Sequence, residues 1–258
     1  MATIFISLAR PVYLLKYEPL AEGQSQYLFL RPLPSVSEQI MIRLVAFDMD
    51  GTLTQEASSW DTLFRIYGHD PKPLYRLYME GHIDQDEWAA SNLREIILAH
   101  PDLTAREIED AIIQNTHLRV GVQECISTLT SLGVKCVIIS AGAEPLARWI
   151  GVTAKFHDWK ANWFEIGSNG RLVPNYIRKV SYLEKEKGLR SWMEENKISK
   201  EETVAVGDSC NDVGMFLESG HSIAFNPTDE YASTMGEVIH EGDDLRICLD
   251  TIVDWNDL

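Results

Sequence analysis

From residue 44 onward, short runs of consecutive apolar residues recur along the chain, each stopped by a polar one. Leu44-Val45-Ala46-Phe47 stops at Asp48, Val134-Lys135-Cys136-Val137-Ile138-Ile139 at Ser140, and Thr203-Val204-Ala205-Val206 at Gly207-Asp208. Ser222 to Phe225 makes a fourth run, and residues 237–240 a shorter fifth. Apolar residues at consecutive rather than alternate positions predict strands buried on both faces, as in a parallel sheet. Between these runs the apolar spacing lengthens to three and four. Residues 122–132 read as a helix ended by Gly133, residues 144–150 open another, and residues 180–196 read as a third. Strands alternating with helices predict an α/β fold built on a doubly wound, Rossmann-like parallel sheet. Residues 156–173 are less regular and carry an Asn169-Gly170 hairpin signal.

Two stretches fall outside this alternation. From about 56 to 120 the pattern is helical throughout. Trp60, Leu63, Phe64 and Tyr67 share one face, as do Leu74, Leu77 and Tyr78, and residues 81–84 join two helices. Thr104 with Glu107 three positions later predicts a capped helix start. This segment reads as a helical cap inserted into the α/β domain, its aromatic stripes belonging to the cap's own core. Residues 1–40 are broken by Pro11, Pro19, Pro32 and Pro34, with one short strand expected at residues 27–30. They are expected to form an extension outside the fold, with Met41 a possible alternative start; an appendage packed on the domain is the other reading.

Composition narrows the field. The chain has 258 residues, 45% of them hydrophobic and 24% charged, enough for a sizeable core. Net charge is −16, and all of it belongs to residues 41–258, because residues 1–40 hold three basic and three acidic side chains. Such a surface argues against non-specific nucleic-acid binding and against anionic membranes. No apolar run approaches the roughly 20 residues of a membrane helix, and the apolar start is too short and uncharged for a signal peptide. The four cysteines, at 125, 136, 210 and 248, form no C-x-x-C and no zinc pattern, which sets a reduced, cytoplasmic location as the expectation. Cys210 reads as a small filler, and the seven histidines show no catalytic spacing.

The chemistry gathers where the strands stop. In open α/β sheets, ligands bind beyond the carboxyl ends of the strands. Asp48 and Asp50 flank Met49 at the end of the first apolar run, and Gly51 supplies a sharp turn. Alone, such a pair is either a solvated acidic turn or a metal site with a nucleophile and a proton carrier. Pooled with Ser140 and Gly207-Asp208-Ser209-Cys210-Asn211-Asp212, it suits phosphoryl transfer with Mg²⁺ offsetting the charge.

The ordered combination D-M-D-G-T-L-T, I-I-S-A-G and V-A-V-G-D-S-C-N-D-V-G-M-F resembles the haloacid dehalogenase superfamily, specifically its phosphoserine-phosphatase-like branch, over nearly all of residues 41–258. The resemblance implies Mg²⁺-dependent hydrolysis of a small phosphorylated metabolite through an aspartyl-phosphate. Asp48 would be the nucleophile, and Asp50 the acid and then the base. Metal ligands would be Asp48, Asp208 and the Asp50 carbonyl, with Asp212 holding the metal's waters. Ser140, the Met49 and Ala141 amides, Asn211 and a lysine would bind the phosphate; the branch has S-G-G where this chain has S-A-G. Lys185 fits the lysine best, because Leu189 and Trp192 follow it at four and seven positions. Lys187 is its rival and Lys179 a more distant one. The branch's substrate-binding cap Glu and Arg fall on Ala57 and Asn92, leaving Glu56 and Arg94 as nearby substitutes. Phosphoserine is therefore the leading substrate, another small phosphomonoester (a sugar phosphate or phosphorylated alcohol amine) the alternative, and a silent binding protein a third reading. Oligomeric state is not legible.

Overall fold

A computed structural model of the protein describes residues 41–256 throughout and, before them, the strands Thr3–Ile6 (β1), Tyr13–Lys16 (β2) and Arg31–Pro32 (β3). The chain divides into two compact units, Met1–Ile40 and Met41–Leu258. In the first, β1, β2 and β3 pair antiparallel in that order. The strand expected at 27–30 lies outside the described residues.

The second unit is built on a seven-stranded sheet. Its strands are Leu44–Phe47 (β4), Lys135–Ala143 (β5), Asp158–Ile166 (β6), Leu172–Ile177 (β7), Thr203–Gly207 (β8), His221–Phe225 (β9) and Val238–His240 (β10), in the order β10-β9-β8-β4-β5-β6-β7. All neighbours are parallel except β6 and β7, which form an antiparallel hairpin. β4 is fully buried, and its residues alternate between two cores. Val45 and Phe47 join Cys136, Ile138, Val204 and Val206 on one face; Leu44 and Ala46 join Val137, Ile139 and Ala205 on the other. Period-two alternation into two apolar cores is what makes the run uninterrupted in sequence.

This order creates the binding crevice. From β4 the chain passes to β5 on one side and later to β8 on the other, so β4 lies at a topological switch point. Phe47 pairs with Ile138 on one side and Val206 on the other. The residues just beyond therefore emerge side by side at one edge.

Four helices lie between β4 and the helix Val122–Ser131 (α5): Ser59–Ile66 (α1), Lys72–Met79 (α2), Gln85–Ala99 (α3) and Ala105–Gln114 (α4). Asp84 caps α3 by accepting from the Glu87 amide, and Thr104 and Glu107 form a capping box on α4. Tyr78 stacks on Trp88 at 5.5 Å between α2 and α3, and Trp60 of α1 stacks on Trp163 of β6 at 5.7 Å. The two connections to this helical segment run together. Thr54 and Leu118 form an antiparallel bridge, the Arg119 amide donates to Leu53 O, and Arg119 Nη2 donates to Gly51 O at 2.8 Å.

Two sequence expectations need correction. The helix predicted over residues 180–196 begins only at Lys185, as Lys185–Asn196 (α7), after Glu144–Ala154 (α6). The residues before it are tied to other elements: Asn162 Oδ1 accepts from Val180 N at 2.9 Å, and Gln85 Oε1 from Tyr182 N at 3.0 Å. The irregular stretch 156–173 contains β6 and the start of β7, with Gly170 at φ +75° in the turn between them.

Candidate active site

Asp48 follows β4 directly, its amide donating to Val206 O of β8 at 2.9 Å. Gly51, at φ +79°, then turns the chain. A Cβ there would meet the Asp208 carboxylate at 2.6 Å, so glycine is required by conformation and by space together. Asp208 follows β8 and is held from both sides. Thr52 Oγ1 donates to Oδ1 at 3.0 Å, and the Thr228 amide donates to its carbonyl at 2.7 Å. Asp212 is completely buried and fully engaged: Oδ2 accepts from the amides of Asp208 and Ser209 at 3.0 Å, and Oδ1 from Lys185 Nζ at 2.8 Å.

Lys185 opens α7 and is 4% exposed, whereas Lys187 points to solvent and pairs with Glu184. Lys185 Nζ also lies 2.8 Å from Asp48 Oδ1, a close ion pair without the angles of a hydrogen bond, so that oxygen has charge compensation but no donor. Asp50 Oδ2 accepts from Ser59 Oγ of α1 at 2.8 Å, while Oδ1 is buried with no donor. Ser59 Oγ in turn accepts from the Ala143 amide at 2.9 Å. Trp60 Nε1 donates to Ala141 O at 3.0 Å, as does Asn162 Nδ2 at 3.2 Å. α1 thereby fixes the Asp50 carboxyl and the end of β5 at once: the strand does not stop at Ser140, as its apolar run predicts, but continues through a pairing irregularity to Ala143. A Cβ on Gly142 would stand 2.4 Å from Asp50 Oδ2, so β5 presses directly on that carboxyl.

Four carboxylates, Asp48, Asp50, Asp208 and Asp212, thus share one buried pocket with a single ammonium. Burial pushes Asp48 well up despite Lys185, and pushes Asp50 up to about 6 against the hydrogen bond from Ser59. Burial, then the charge of Asp212, pushes Asp208 up to about 7. Burial alone would lower Lys185, but Asp212 and Asp48 overcome it and keep the ammonium charged. The donor set is all oxygen, and Asp48, Asp208 and Asp212 each offer one oxygen within 4.8 Å of the others. Hard carboxylate oxygens with uncompensated negative charge suit a hard divalent cation such as Mg²⁺.

Above these groups lies a cavity of about 480 Å³, lined by Asp48, Asp50, Ser140, Ala141, Lys185, Asp208 and Asn211 from the α/β layer and by residues of the cap. Met49 is buried beneath it. The two substitute cap residues expected from sequence are not in its lining. Glu56 is tied to His117, accepting from its amide and lying 2.8 Å from Nδ1, and Arg94 pairs with Glu87 on the exposed side of α3. Helical phase explains Arg94: it follows the buried Asn92 and Leu93 and turns outward. The polar and aromatic side chains of α1–α3 and their flanks that do line the cavity, and that no motif marks, are Ser58, Trp60, Asp61, Lys72, Tyr75, Gln85 and Trp88.

The sequence matches curated proteins over about 70% of its length. At 30% identity it spans 61% of a probable phosphoserine phosphatase of Schizosaccharomyces pombe, and at 31% it spans 44% of phosphoserine phosphatase SerB2 of Mycobacterium tuberculosis. At 30% identity it spans 82% of the phosphoserine phosphatase of Lactococcus lactis. The chain thus spans less than two thirds of the first two. A solved phospho-aspartyl intermediate analogue of phosphoserine phosphatase superposes with a TM-score of 0.66 at 26% identity, covering 82% of this chain and 99% of that one. A substrate-bound phosphoserine phosphatase complex gives 0.66 at 25%, covering 81% and 98%. The sequence model of the haloacid dehalogenase-like hydrolases matches residues 42–220, and the chain belongs to that family.

Proposed function

We propose that this protein is a Mg²⁺-dependent phosphomonoester phosphatase of the phosphoserine-phosphatase type, working through an aspartyl-phosphate on Asp48. The observation that carries the reading is convergence: the ends of β4 and β8, the last residues of β5, and α7 bring Asp48, Asp208, Ser140 and Lys185 to the floor of one cavity beneath a helical cap. A bound Mg²⁺ held by Asp48, Asp208 and the Asp50 carbonyl would neutralise phosphate charge. Asp212, saturated by its own partners, suits a supporting position.

In the first step the Asp48 carboxylate attacks phosphorus, the bond to the substrate's alcohol oxygen breaks, and Asp50 gives that oxygen its proton. In the second, Asp50 takes a proton from water, whose oxygen attacks phosphorus; phosphate leaves and Asp48 is regenerated. Lying near 6, Asp50 is suited to both proton transfers close to neutrality. Lys185, Ser140 and the Ala141 amide hold the phosphate oxygens as charge develops. Residues 41–258 carry this activity, with the segment at about 56–120 as cap and residues 1–40 outside the catalytic fold. A cytoplasmic location fits three buried free thiols and the absence, among the described residues, of any helix long and apolar enough to cross a membrane.

The test is hydrolysis of an aryl phosphate with and without Mg²⁺ by the native chain and by Asp48→Asn. Metal-dependent turnover abolished in the variant is the expected result. Equal turnover by both proteins, or none by folded native protein, would sink the proposal.

A further inference from the structure

The last residues of β5 leave the regular ladder just where they reach the cavity. Ile139 pairs with Lys160 and Ala143 with Asn162, so residues 140–142 stand opposite Ala161 alone. Extra residues in one strand take backbone groups out of the ladder and re-aim side chains. At Ala141, side chains replace the lost bonds. Its carbonyl accepts from Asn162 Nδ2 at 3.2 Å and from Trp60 Nε1 at 3.0 Å. The N–H of that same peptide is Gly142 N, which donates to Ser140 Oγ at 3.1 Å. Ser140 is 1% exposed and lines the cavity, and among the described residues its hydroxyl makes no other hydrogen bond.

A hydroxyl that accepts from a backbone N–H has one proton left, and that proton points away from the N–H. Donors on the carbonyl side of a peptide also polarise its N–H, so the grip on Ala141 O both steers and strengthens the bond to Ser140. Asn162 is held in place to keep that grip. It is fully buried, and all its hydrogen-bonding positions are used. Oδ1 accepts from Lys179 N at 2.7 Å and Val180 N at 2.9 Å, while Nδ2 donates to Val180 O at 2.8 Å as well as to Ala141 O. Amides on one side and carbonyls on the other leave the side chain a single orientation. Asn162 itself does not line the cavity, so its influence there runs through Ser140. We propose that Asn162, with Trp60, is a positioning residue: through the Ala141–Gly142 peptide it commits the Ser140 hydroxyl to donate to the substrate's phosphate. This rests on the phosphatase reading above, in which Ser140 holds a phosphate oxygen.

The test is titration calorimetry with inorganic phosphate in the presence of Mg²⁺, run beside aryl-phosphate kinetics. Asn162→Leu and Trp60→Phe are each made in the native chain and in Ser140→Ala, with a urea midpoint to check that each variant folds. Ser140→Ala and Asn162→Leu are each expected to weaken phosphate binding by about tenfold, and Trp60→Phe by about threefold to fivefold. In the Ser140→Ala background, adding either substitution changes Kd by less than about twofold, because the hydroxyl they orient is already gone. A purely structural role for Asn162 would lower the number of binding sites per chain and leave the Kd of those that remain unchanged. That result overturns the proposal, and so does the same fold-loss in both backgrounds. If Asn162→Leu does not fold, Trp60→Phe removes the other donor to the same carbonyl and puts the same question: an unchanged Kd, or an equal change with and without Ser140, overturns it. A native chain that binds phosphate but turns over no aryl phosphate would sink the phosphatase reading, while the pattern of Kd values still decides this one. A native chain that turns over aryl phosphate, with Kd values that ignore Ser140, would do the reverse.

Discussion

At the scale of single residues, the site is a problem of like charges solved by one buried lysine. Removing it should therefore hurt stability as well as chemistry. Lys185→Met leaves Asp48 and Asp212 uncompensated, and a loss of about 3–5 kcal/mol is expected in urea unfolding without metal. Ser59→Ala removes the donor to Asp50 Oδ2 and the acceptor for the Ala143 amide. We expect kcat to fall by about ten- to hundredfold with little change in KM, because proton delivery is loosened while phosphate contacts stay. An equal rise in KM would instead indicate a collapsed cavity. Residue-scale legibility was uneven. Leu189 and Trp192, at four and seven positions after Lys185, mark the inner face of α7, and the structure puts Lys185 inside and Lys187 outside. No such pattern singles out Asp61 or Lys72, which line the cavity. Glu56 and Arg94 were suggested by proximity along the chain, yet each is turned to a partner away from the cavity.

At the scale of elements, β4, β5 and β8 were legible because burial on both faces writes an uninterrupted apolar run. β6 and β7 were legible only through the Asn169-Gly170 hairpin signal between them, because the strands mix buried and exposed positions around a pairing irregularity. The late start of α7 was hidden for a different reason: residues 179–182, which precede it, are tied to Asn162 and Gln85 on other elements. Asn162 is the hub of this arrangement. It is fully buried, accepts from Lys179 N and Val180 N, and donates to Ala141 O and Val180 O. Asn162→Leu strands those groups, and a loss of about 2–4 kcal/mol is expected, read as a lowered urea midpoint at unchanged m.

At the scale of the whole molecule, the buried carboxylates couple folding to pH and to metal. Asp48, Asp50 and Asp208 all lie above the usual carboxylate range, the last two at about 6 and about 7. The folded state therefore holds protons that the unfolded chain releases near pH 4. Their contribution is fully present below that pH and is lost as pH rises through 6 to 7. Tm of metal-free protein is expected to drop by about 5–10 °C between pH 5 and pH 8. Mg²⁺ should restore more of that loss at pH 8 than at pH 5, since only ionised oxygens bind it well. A Tm that rises steadily to pH 8 without metal would contradict this picture.

The grip of α1 on both Asp50 and the end of β5 has a consequence for the proposed cap. If the helices swing away to admit substrate, Ser59 and Trp60 leave with them, and the proton donor and the phosphate cradle lose their braces at the same moment. On the proposed mechanism an open form would be accessible but disarmed, and closure over a cargo would complete the machinery. The latch itself would then guard against premature attack by water.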